Sequence, residues 1–185
     1  MKQKDHRALA NFLLDRAGRW SIWDHSRHRR AFILGCVSPD YIPTTYLRGF
    51  RKSRAMRGHN TPYSAAHVYR TLDRLRLRGL RSLRDCYALG TLIHYLADSF
   101  TFVHNEDFEG DMRAHRAYEQ SLHACFQSSL RSQPIRPIAA PSRALSEHLR
   151  AMRAAYGQAG KGYLCDCKAI IAACTAVFAA VCEGR

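Results

Sequence analysis

Two histidine–carboxylate pairs at helical spacing are the residues of this 185-residue sequence best placed to do chemistry. His94 and Asp98 are four apart, His115 and Glu119 are four apart, and His104 falls between the pairs. On an α-helix, residues four apart stand one above the other on a single face. Each pair therefore points an imidazole nitrogen and a carboxylate oxygen the same way. That donor set suits zinc, with iron or manganese as alternatives. One such pair is commonly only a hydrogen bond. Two pairs with a histidine between them point to shared metal ions. The stretch from Leu89 to Asn105 is apolar on nearly every face, and His94 and Asp98 stand out in it as polar. A buried carboxylate without a partner is costly, and a cation shared with His94 satisfies both groups.

The elements that must position these residues read as helices. Leu9, Phe12, Leu13 and Ala17 form one face of a first helix ending near Gly18. Phe32, Ile33 and Leu34 lead into Gly35-Cys36-Val37-Ser38-Pro39-Asp40-Tyr41, where Pro39 and Pro43 predict a turn or loop. A basic loop runs from Arg48 to Asn60. Thr61 and Pro62 suit a helix start, and Ser82 can cap the helix that holds His94. The acidic turn from Asn105 to Gly110 precedes a helix from Met112 to about Leu130. Pro134, Pro137 and Pro141 mark a linker before helices over about Ser142 to Tyr156 and Tyr163 to Cys182. The expectation is an all-α fold: a single domain over 1–185, built as a multi-helix bundle around a buried metal cluster.

Composition narrows the partners. With 29 Lys and Arg against 15 Asp and Glu, the formal charge is +14. Such a surface attracts anions: phosphate esters, acidic lipid surfaces or nucleic acid. The seven cysteines follow no disulfide framework and include no CxxC pair, so they read as reduced thiols of a cytoplasmic protein. Ala8 to Leu14 makes a poor signal peptide, and the longest apolar run, Ala169 to Val181, is too short to cross a bilayer. Contact at a membrane surface stays compatible with this reading.

The segment His94-Tyr95-Leu96-Ala97-Asp98-Ser99-Phe100, followed by Val103-His104-Asn105 and by the later His115 and Glu119, resembles the bacterial zinc-dependent phospholipase C family. P1-type nucleases share that metal-site design. The resemblance extends to Gly35–Tyr41, whose Pro39-Asp40 matches a Pro-Asp segment, and to Asp5-His6-Arg7, which matches a first-helix histidine. It implies one zinc site from Asp40, His59, His94 and Asp98, with His67 as the alternative to His59. A second site would use His104, His115 and Glu119. A third would use His6 and Asp98, but its terminal Trp is replaced by Met1. Two zinc ions are therefore expected, with the third in question. The implied reaction is hydrolysis of a phosphodiester at a phospholipid head group, with Asp40 orienting or deprotonating the attacking water. Two other readings are a P1-type nuclease acting on single-stranded nucleic acid, and a non-catalytic, zinc-stabilised basic module that binds anionic membranes or an acidic partner.

Overall fold

The computed structural model describes residues 1–41, 61–105, 107–136, 138–141 and 144–183, with residues 61–67 described by their backbone alone. The described residues form seven α-helices and no strand. In chain order these are α1 (Gln3–Leu14), α2 (Ser26–Val37), α3 (Thr61–Arg78), α4 (Leu83–Ser99), α5 (Met112–Ser132), α6 (Leu145–Gln158) and α7 (Tyr163–Cys182). Short 3-10 turns cover Ser21–Asp24, Ser38–Asp40 and Phe102–His104. The all-α expectation holds.

Local chemistry accounts for several boundaries. Ser82 caps α4: its hydroxyl accepts from the Asp85 N–H at 3.2 Å and donates to the Asp85 carboxylate at 2.7 Å. Asp111 caps α5 by accepting from the Ala114 N–H at 2.7 Å. The first helix stops at Leu14, short of Gly18, because the chain tightens into i to i−3 bonds from Arg16 to Leu13 and from Ala17 to Leu14. The second helix instead continues through Gly35 to Val37, where a turn was expected. Pro39 and Asp40 then occupy the 3-10 turn that closes it.

Two glycines explain that continuation. A Cβ on Gly35 would lie 2.1 Å from the Tyr87 carbonyl oxygen, and one on Gly90 would lie 2.2 Å from the Phe32 carbonyl oxygen. The obstacles are backbone atoms, which cannot rotate away. Gly35 and Gly90 thus let α2 and α4 touch backbone to backbone, the most extensive helix contact among the described residues. This brings the end of α2, with Cys36 and Asp40, beside His94.

The core gathers around α4. Its Leu89, Leu92 and Ile93 are fully buried, with Phe32 of α2 and Phe178 of α7 packed nearby. Trp23, Phe32 and Phe178 form an aromatic cluster with centroids 5.3–5.4 Å apart. The seven cysteines are all unpaired. Helix α7 extends the apolar run back to Tyr163, and its 20 residues are long and apolar enough to cross a membrane. Two-thirds of its apolar window is nevertheless buried against the other helices, as in a core helix.

Candidate metal centre

Five segments converge on one end of α4. Helix α4 carries His94 and Asp98. The turn closing α2 carries Asp40, and the turn after α4 carries His104. Helix α5 carries His115 and Glu119. Helix α1 carries His6 and is preceded by the amino group of Met1.

Their ligand atoms fall into two groups. In each, His6, His94 and Asp98 or His104, His115 and Glu119, the donor atoms lie within 4.8 Å of one another. Asp98 Oδ1 is 3.3 Å from His6 Nε2, and Asp98 Oδ2 is 3.3 Å from His94 Nε2. Glu119 Oε1 is 3.3 Å from His115 Nε2 and 3.5 Å from His104 Nε2. Asp40 Oδ1 lies 3.6 Å from His94 Nε2. These separations exceed a charge-assisted hydrogen bond. The three at 3.3 Å equal the edge of a tetrahedron around an ion with bonds of about 2.0–2.1 Å, roughly 3.3 Å, and the other two are a few tenths of an ångström longer. The His6 ring makes the same point, since both of its nitrogens are buried and neither has a hydrogen-bond partner among the described residues. The residues therefore fit zinc.

Electrostatics prepare the same donors. Burial, with help from neighbouring His94, pushes His6 down to about 3, so its ring is neutral. Burial also lowers His104. Burial opposes ionisation of Asp98 and Glu119 as well. At Asp98 the Met1 ammonium and the histidines outweigh it, and at Glu119 hydrogen bonds from His104 and His115 do so first. Both carboxyls end well below the usual range. Neutral imidazole and ionised carboxylate are the forms that ligate metal. For His94, burial is overcome by Asp98 and Asp40, and the ring is raised. Its Nδ1–H donates to the Cys36 carbonyl at 2.8 Å, which leaves Nε2 facing the carboxylates.

The Met1 amino group sits among the donors. It lies 2.8 Å from Asp98 Oδ1, 3.0 Å from Glu119 Oε1 and 3.0 Å from His104 Nε2. Burial works against its charge, but the two carboxylates win and push it up to about 10.

Of the residues singled out in the sequence, His6, Asp40, His94, Asp98, His104, His115 and Glu119 come together here. His59 lies outside the described residues, and the side chain of His67 is not described. Exposure is graded across the site. His6, His94 and Asp98 are at most 1 % exposed, whereas the side chains of Asp40, His115 and Glu119 are 16–24 % exposed. Among the described residues, solvent therefore reaches the site at the Asp40, His115 and Glu119 side chains. A cavity of about 690 Å³ between Phe12, Ile138, Leu164 and Ile171 shares no residue with either group.

Sequence reasoning missed two contributors. One is the Met1 amine, which no spacing rule marks. The other is Asp5, 1 % exposed, which accepts hydrogen bonds from His123 and from Gln127 (3.1 Å) and ties α1 to α5. His123 continues the face of His115 and Glu119, a signal that reads equally well as a surface histidine.

The model of a family described as zinc dependent phospholipase C matches residues 5–160. No curated protein and no solved structure was found to match.

Proposed function

We propose a reaction from one premise: this chain belongs to the zinc-dependent phospholipase C family. The reaction is hydrolysis of a phosphodiester at a phospholipid head group by one domain spanning residues 1–185. The observation that carries it is the set of imidazole–carboxylate separations at tetrahedral-edge length, in a site whose Asp40, His115 and Glu119 side chains are partly exposed.

In this reading Asp40, His94 and Asp98, with His59, hold one zinc, and His104, His115 and Glu119 hold another. His6, Asp98 and the Met1 amine offer donors for a third. Zinc, when bound, supplies positive charge to a phosphoryl group and lets water ionise near neutral pH. The remaining work belongs to side chains. Asp40 lies on a turn at the open edge, so its carboxylate can reach a water from the solvent side, orient it and take its proton. Asp98, buried between His6 and His94, keeps both rings in ligand orientation. The excess of basic residues raises the local concentration of anionic substrate. Burial of α7 fits a core helix and not a membrane span, and we read the protein as cytoplasmic, meeting membranes at their surface.

The same +14 charge favours single-stranded nucleic acid as the second reading. Elemental analysis followed by parallel assays on phosphatidylcholine and single-stranded DNA separates the two. Zinc with turnover of phosphatidylcholine is expected, and Asp98→Asn should lose both zinc and at least about a hundredfold in hydrolysis. Zinc retained without turnover of either substrate would overturn the enzymatic reading and leave a metal-stabilised binding module.

A further inference from the structure

Asp166 is a buried acid that the proposed chemistry does not use. It lies in the first turn of α7, beyond residue 160 where the family match ends, and it is 1 % exposed. Its Oδ1 accepts from the Tyr156 hydroxyl at 2.7 Å. Its Oδ2 accepts from the Tyr118 hydroxyl at 3.0 Å and from the backbone N–H of Phe102 at 2.9 Å. Burying a carboxylate with neutral donors as its hydrogen-bond partners is expensive, and apolar packing would hold three helices together more cheaply.

The Phe102 bond distinguishes this carboxylate from a plain core contact. Phe102 opens the three-residue turn that carries His104, and Tyr118 precedes Glu119 on α5. One carboxylate therefore braces both segments that supply the second ligand group. Arg153 of α6 grips the chain on either side of that turn, donating to the carbonyl of Ser99 at the end of α4 and to Asn105 Oδ1. Its guanidinium also lies over the rings of Phe100 and Tyr156, 5.7 and 5.5 Å from their centroids. Bonds within the segment, such as His104 N–H to the Thr101 carbonyl and Asn105 Nδ2 to the same carbonyl, give the turn its shape, whereas the bonds from Asp166 and Arg153 fix that turn relative to α5, α6 and α7 and so set where the imidazole stands against Glu119.

We propose that Asp166 and Arg153 are positioning residues of the metal centre, locking the segment from Ser99 to Asn105 so that His104 Nε2 stays 3.5 Å from Glu119 Oε1. The proposal rests on reading His104 as a ligand. It assigns a role in the centre to α6 and to a helix beyond the family match.

The test uses the full chain with Asp166→Asn, Arg153→Lys and Tyr156→Phe. Tyr156→Phe removes one bond to Asp166 but leaves the Phe102 anchor, so it controls for stability alone. Zinc competition against a chromophoric chelator should show Asp166→Asn and Arg153→Lys weakening one ion by about 10–100-fold. Tyr156→Phe should lower the melting temperature without that loss. Asp166→Asn combined with His104→Ala should be no worse than His104→Ala alone. In metal-free protein, the His104 ring resonances should move with Asp166→Asn while those of His94 stay in place. If the unsubstituted protein takes up no zinc, the metal reading fails by itself and the resonances still decide the positioning role. An unmoved His104 signal, or additive losses in the double variant, overturns the proposal. Should Asp166→Asn fail to fold, Arg153→Lys tests the same positioning role from the other end of the turn.

Discussion

His94 shows how much one hydrogen bond decides. Because the Cys36 carbonyl can only accept, the His94 ring must present Nε2 to Asp40 and Asp98. Asp40→Asn keeps the shape of its side chain but cannot take a proton. Hydrolysis should fall about a hundredfold or more while zinc on His104, His115 and Glu119 is retained, as read by turnover alongside metal content. The Met1 amine carries a second expectation. Its folded value near 10 stands above the ordinary 8.0, so the charged form stabilises the fold. That contribution, roughly 3 kcal/mol, is complete below pH 8 and is lost as pH rises through 10. Urea titrations of metal-free protein across that window should show the decline, and acetylating the amine should abolish it. Zinc bound at the Met1 nitrogen would displace the same proton, so a donor there predicts proton release on metal uptake.

Helices α2 and α4 set the next scale. Their backbone contact at Gly35 and Gly90 holds Asp40 within reach of His94, so packing and ligand geometry share one interface. Gly35→Ala forces backbone atoms apart and should cost about 1–3 kcal/mol or more in chemical denaturation. It should also reduce zinc content at the site that uses Asp40, whereas an overpacked position far from α2 would lower stability alone. Helix propensity favours alanine over glycine, so a destabilised Gly35→Ala isolates the close approach as the cause.

For the molecule as a whole, the proposed ligands come from five segments between Met1 and Glu119, and any ion they share would tie those segments together. Chelation should lower the melting temperature by roughly 5–10 °C, and added zinc should restore it. The +14 charge belongs to this scale as well. Binding to anionic vesicles should weaken steeply between low and physiological salt in a sedimentation assay. Persistence at high salt would point to apolar insertion instead.

The i, i+4 pairs were legible in the sequence because helix periodicity alone puts His94 beside Asp98 and His115 beside Glu119. The all-α class followed from the same periodicity, from the helix start at Thr61 and Pro62, and from the cap at Ser82. Asp40 and His6 were reached only through resemblance to a family, since a turn residue and a lone helix histidine carry no periodic mark. The tertiary structure alone decided that the Met1 amine enters the site, that His123 pairs with buried Asp5, and that Asp166 braces the His104 turn. Each of these joins residues 64 or more apart in the chain. Their meeting depends on how closely whole helices approach, as α2 and α4 do at Gly35 and Gly90, and no local pattern of residues encodes such an approach.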